Sequence, residues 1–343
     1  MDVTERDNNH QDPTAGELGD NTDAPGIDNA MSPPVADHDR EPSIGLALGG
    51  GVARGWCHIG ILKALDRHGI KPVVIAGTSV GALVGGFWLA GKLDALEDWA
   101  LSFSKRRMLS YFDLVVNGPG IIGGNRLYAA MSEYLGDTRI EDLPGRYVAV
   151  AAELASGHEA WIREGNLVDA ITASYALPGV FPPRSVNGRW LIDGALVNPL
   201  PVSVCRAFDA RVVLAAGLHA DAFGRASTLR REKYENPNLS DTSDLEKAAR
   251  GGKWNERLII KRLFRSSGAS PGVGSVMLAS FNIVMDRITK ARLAGDPPDV
   301  QILPQAGHIG LLDFDKAEEL IALGEEAVDY AAPRIRQAIT ALA

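Results

Sequence analysis

The sequence predicts an α/β fold with a parallel sheet from about Ser43 to the C-terminus, and three observations carry that expectation. Short apolar runs end repeatedly on glycine. Helix-spaced segments follow them. The first strand, helix, strand, helix succession fits within about 45 residues, the span of a right-handed crossover between parallel strands.

"SIGLALGGG" is an apolar run that stops at a glycine cluster, as a buried strand does where it leaves its sheet. "WCHIGILKALDRHG" then sets Ile59, Leu62 and Leu65 on one helical face, and Gly69 stands where a helix C-terminus favours glycine. Val73 to Ala76 makes a second strand, and a helix begins near Ser79. Farther on, "RYVAVAAEL", "HEAWIRE", "GRWLIDG", "RVVLAAGL" and "DVQILP" are rich in β-branched residues and predict strands. "DFDKAEELIALGEEAVDYAAPRIRQAITALA" predicts a helical end interrupted at Pro333. Ala220 to Gly274 is the least regular stretch, an insertion or cap, and no internal repeat is apparent.

A hydrophobic content of 45% suits a buried core. The formal charge of −8 is unevenly placed: residues 1–42 hold eleven Asp/Glu against two Arg, so the remaining 301 residues sum to +1. Such a body is a poor partner for nucleic acid, and the acidic head lacks apolar periodicity, as disordered segments do. The head has no positively charged start running into an apolar stretch, and no apolar run reaches about 18 residues. A cytoplasmic protein is expected, touching membrane only at its surface. Cys57 and Cys205 sit in apolar segments without metal-ligand spacing, so reduced buried thiols and no metal cofactor are expected. Residues 250–265 carry six Lys/Arg against one Glu, interleaved with apolar residues. Such a helix either packs on the body with its cationic stems outward or lies on an anionic membrane surface.

Gly77-Thr78-Ser79-Val80-Gly81 is a G-x-S-x-G pattern between a strand and a helix, the context in which a sharp turn projects a serine Oγ off the sheet. Gly49-Gly50-Gly51-Val52-Ala53-Arg54-Gly55 stands at the end of the preceding strand, where amides at a helix N-terminus can hold an anion, either a phosphate or an oxyanion. A dinucleotide site would carry G-x-G-x-x-G with an acidic residue after the next strand, and neither is present. For acyl transfer the loop would hold the oxygen that gains charge. A right-handed crossover brings both glycine clusters to one sheet edge.

A serine nucleophile needs a base. Ser79, Asp193 and either His219 or His308 follow the chain order of an α/β-hydrolase triad, although that fold draws its oxyanion donors from elsewhere. Asp193, in "RWLIDGALVNPLP", is either a plain turn residue or a carboxylate that accepts the serine proton directly. Leu83, Phe181 and Leu196 are candidate acyl contacts, with core packing as the alternative.

"GGGVARGWCHIG", "GTSVG" and "DGALVNPLP", in that order, resemble the three blocks of the patatin-like phospholipase family. "ASYALPGVFPP" and "HIGLLDFDKAEELIALG" resemble its bacterial branch, which is similar to the esterase domain of neuropathy target esterase. The resemblance spans roughly Ser43 to Gly324, without much of Ala220 to Gly274. It implies a three-layer α/β/α fold with a mostly parallel central sheet. It also implies a lipid acyl hydrolase acting on a phospholipid or lysophospholipid, with Ser79 as nucleophile and Asp193 as base. Gly49, Gly50 and Gly51 surround the oxyanion hole in that resemblance, and Arg54 either holds the glycine loop or binds substrate. The glycine loop is one residue longer than in plant patatins and agrees with the bacterial branch, leaving the exact donor amides open.

Overall fold

In the computed structural model, which describes residues 43–103, 123–218 and 273–342, the run "SIGLALGGG" becomes β1 (Ile44–Leu48), buried at every position within an eight-stranded sheet. After β1 come α1 (Cys57–Arg67), β2 (Val74–Thr78), α2 (Val80–Leu89), α3 (Leu93–Leu101) and α4 (Asn125–Leu135). β3 (Arg146–Glu153), β4 (Glu159–Ile162), α5 (Leu167–Ser174), β5 (Arg184–Val186) and β6 (Arg189–Asp193) follow. The chain ends with α6 (Val202–Ala207), β7 (Val212–Ala216), α7 (Val273–Gly295), β8 (Val300–Ile302) and α8 (Ala317–Leu342). The acidic residues 1–42, His219 and the basic 250–265 stretch lie outside the described residues, whereas Val273 and Gly274 open α7.

The strand order is β5-β6-β3-β2-β1-β7-β8, with β4 also on β3. The five strands β3 to β8 of that path pair parallel, while β4 and β6 run antiparallel to β3, and β5 to β6. The sheet is therefore mixed and mostly parallel at its centre. β5 was not foreseen, because three half-exposed residues leave too short a pattern to read.

Period-two alternation sorts the strands into two cores. Leu46, Leu48, Ile75, Leu214 and Ala216 face one side, where α1, α2, α5 and α8 supply the larger core. Ala47, Ala76, Val213 and Ala215 face the other, packed with Val202, Val204 and Cys205 around α6. Cys57 and Cys205 are both free and buried. No helix of the described residues is long and apolar enough to cross a membrane.

α8 runs unbroken through Pro333, contrary to the interruption expected there. Pro333 lies on the exposed face, while Val328, Ala331, Ala332 and Ile335 are buried on the other, so packing holds both halves in line across the missing hydrogen bond. α8 and α1 approach closely at Gly60 and Gly324, where an added Cβ would overlap the Ile321 and Cys57 carbonyls. Gly60→Ala is therefore expected to lose about 1–3 kcal/mol of stability, read as a lower urea midpoint at unchanged slope.

Candidate active site

β2 ends at Thr78, and the chain turns at Ser79 with φ 56 and ψ −121 before entering α2. A serine side chain disfavours that backbone region. Four described residues other than glycine have positive φ, and two of them, Asn187 and Asp209, are of the types that tolerate it in turns. The remaining two are Ser79 and Val52, and both border the same cavity. Strain concentrated at one place is held there by its surroundings, and it makes this cavity the candidate site.

Strand register brings Asp193 to the serine. β2 pairs with β3 so that Thr78 lies opposite Val150, and β6 pairs with the other side of β3 so that Asp193 lies opposite Ala151. Ser79 thus stands level with Asp193 across β3, two strand spacings away, about 10 Å between backbones. The side chains close that gap: Ser79 Oγ donates to Asp193 Oδ2 at 2.8 Å. Asp193 Oδ1 accepts the Ala195 amide at 2.8 Å, and its own amide donates to the Ala176 carbonyl at 2.9 Å. Asp193 is 2% exposed. Burial pushes its carboxyl from 3.8 up to about 7, while the Ala195 amide and the Ser79 hydroxyl pull it back down. A base poised near neutrality is what proton abstraction at physiological pH asks for.

The glycine loop reaches the same edge through the parallel β1–β2 pair. Its first two amides are already engaged: Gly49 N–H donates to the Ala216 carbonyl at 3.1 Å and Gly50 N–H to the Pro199 carbonyl at 3.0 Å. Gly51 and Val52 instead border the cavity with Ser79 and Asp193. The sequence left the donor amides around the oxyanion hole open among Gly49, Gly50 and Gly51; those of Gly49 and Gly50 are bonded within the fold, which leaves Gly51 and Val52 as the candidates. His58, on α1, is fully buried and its Nε2 lies 2.7 Å from the Gly49 carbonyl. Burial lowers its pKa to about 4, so the ring is neutral and Nε2 carries the proton donated to that carbonyl.

Arg54 is 4% exposed. Its Nε donates to the Ile309 carbonyl at 2.9 Å and its Nη2 to the Gly307 carbonyl at 3.3 Å. The guanidinium therefore ties the glycine loop to the 307–309 turn and is not among the cavity walls, the first of the two roles weighed for it. His308 is half-exposed and lies 2.8 Å from Glu319, while the serine hydroxyl is given to a carboxylate.

The cavity holds about 130 Å³ and is walled by Trp56, Leu83, Phe181 and Met285, among others. Of the three candidate acyl contacts, Leu83 and Phe181 line this cavity, whereas Leu196 is not on its wall. Aromatic and aliphatic walls around one serine and one carboxylate suit an apolar chain ending in a reactive carbonyl.

The sequence has relatives among known proteins. The profile described as patatin-like phospholipase matches residues 46–206. An NTE family protein of Mycobacterium tuberculosis is 33% identical over 321 residues, covering 82% of this chain and 89% of the relative. Lysophospholipase NTE1 of Saccharomyces cerevisiae is 29% identical over 297 residues, covering 84% of this chain but 16% of the yeast protein. A patatin-like phospholipase domain-containing protein of Caenorhabditis elegans is 28% identical over 298 residues, covering 82% of this chain and 20% of the nematode protein.

Proposed function

The chain belongs to the patatin-like phospholipase family, and we propose that it is a lipid acyl hydrolase working through a Ser79–Asp193 dyad. The observation that carries this reading is the 2.8 Å hydrogen bond from Ser79 Oγ to Asp193 Oδ2 at a strained strand-to-helix turn. Ser79 Oγ attacks the ester carbonyl carbon as its proton passes to the Asp193 carboxylate. The carbonyl electron pair moves onto oxygen, and the amides of Gly51 and Val52 receive that oxyanion. As the tetrahedral intermediate collapses, the leaving alcohol takes the proton back from Asp193. Water then gives a proton to Asp193, attacks the acyl-serine, and releases the fatty acid with Ser79 reprotonated.

Arg54 and His58 are assigned to holding the glycine loop. The apolar cavity is assigned to the acyl chain, which leaves the polar end of a phospholipid or lysophospholipid toward solvent and the site served from a membrane or micelle surface.

Mass-spectrometric mapping after fluorophosphonate treatment tests the nucleophile. Stoichiometric adduct at Ser79, lost in Asp193→Asn and kept in His308→Ala and His219→Ala, is the expected result; an adduct that depends on either histidine points to a triad. For the base, log kcat/KM is expected to rise with pH and reach a plateau above about 7, because only the ionised Asp193 carboxylate accepts the proton. A profile flat from pH 5 to 9 would rule out Asp193 as the base.

A further inference from the structure

We propose that Ser174 is a positioning residue for Ser79, and that the segment 174–176 sets the spacing between nucleophile and base. This inference rests on Ser79 being the nucleophile. Ser174 ends α5, is fully buried, and belongs to neither glycine motif nor to the Asp193 block. Its Oγ accepts the Ser79 backbone N–H at 2.8 Å and donates to the Val150 carbonyl at 2.6 Å. Val150 is the β3 residue opposite Thr78, so the hydroxyl fastens the strained turn to the strand that separates Ser79 from Asp193. Two residues on, the Ala176 carbonyl accepts the Asp193 amide at 2.9 Å. One short stretch of chain therefore grips the backbone of both reacting residues.

The turn needs such a grip. With φ at 56, the Ser79 amide leaves the β2 ladder, and a buried N–H without an acceptor favours any rearrangement that finds one. Removing the Ser174 hydroxyl deprives the amide of its acceptor and lets the turn relax, carrying Oγ out of line with Asp193. Small displacements at a reacting atom cost on the order of 100-fold in rate. The acyl cavity keeps its walls, so binding changes little.

The test compares Ser174→Ala, Ser174→Cys and Ser174→Thr in the full chain, with p-nitrophenyl butyrate turnover and the rate of fluorophosphonate labelling at Ser79. Cysteine leaves no cavity and keeps a weak donor and acceptor, so it weakens both hydrogen bonds without emptying the site and decides the matter if the alanine variant does not fold. The expected result is a kcat lowered roughly 100-fold in Ser174→Ala and about 10-fold in Ser174→Cys, with KM within about twofold of wild type. Labelling slows in parallel, and Ser174→Thr recovers most of both rates. Wild-type kcat in Ser174→Cys, labelling that stays fast while turnover falls, or a threonine variant no better than alanine overturns the inference. A wild-type protein that takes no adduct at Ser79 overturns the nucleophile assignment and this inference with it; full-rate labelling in Ser174→Cys overturns this inference alone.

Discussion

Asp193→Asn is expected to abolish most turnover while making the protein more stable above pH 7. Removing a general base costs about 10²- to 10⁴-fold in kcat, and this carboxyl, the proposed base, accepts the Ser79 hydroxyl's hydrogen bond. The stability gain follows from burial, which raises the carboxyl from 3.8 to about 7. A group with a raised folded pKa contributes stability that is present below about pH 4 and is lost as pH rises through about 7. Asparagine carries no charge to desolvate and keeps an oxygen for the Ala195 amide. The variant's advantage is thus expected to be near zero at pH 4 and to reach about 4 kcal/mol at pH 8, taking about 1.4 kcal/mol per pKa unit. Urea unfolding of both proteins at the two pH values measures it. His58 works in the opposite direction: with its pKa lowered to about 4, it withdraws stability as pH falls below about 6.5. In Asp193→Asn that acid-side loss is expected to proceed without the opposing gain that protonation of the wild-type carboxyl supplies. A variant no more stable than wild type at pH 8 would mean that the carboxylate is better solvated than its burial implies.

Gly81→Ala is expected to disable the site through geometry alone. An added Cβ at Gly81 would overlap the Leu48 carbonyl, and the Gly49 carbonyl lies 2.9 Å from the same point. The first turn of α2 thus rests directly on the end of β1, with Ser79 on one side of the contact and the glycine loop on the other. One methyl group pushes the two apart. The expected result is a loss on the order of 100-fold in kcat/KM together with about 1–3 kcal/mol of stability. Fluorophosphonate labelling and urea unfolding read the two effects separately, and a variant with wild-type labelling would show that the turn tolerates the shift.

Much of the frame was legible because it is written in contiguous residues. β1, β2 and β3 are apolar runs that no other element explains, and the turn at Ser79 follows from glycines at 77 and 81 between a strand and a helix. The crossover rule put the glycine loop and the serine at one edge before any coordinate did. Legibility failed where a residue's role is set by a distant partner. His58 looks like any helical histidine until the Gly49 carbonyl comes to rest against it. Ser174 sits in the family-like segment "ASYALPGVFPP", but its hydrogen bond to the Ser79 amide has no local signature. Pro333 looked like a break because propensity is local, whereas packing on the far face of α8 is not.

The sequence by itself determined an α/β chain with a strand-ending serine and a glycine loop beside it, since hydrophobic period, glycine position and crossover handedness act over short stretches. Only the tertiary structure decided that a carboxylate 114 residues away meets that serine, that Gly49 and Gly50 spend their amides on the fold, and that Arg54 faces a turn. Those outcomes depend on the register of β2 and β6 against β3 and on which buried polar groups find each other. In a packed core, every such group must find a partner somewhere, and the chain's order does not say where.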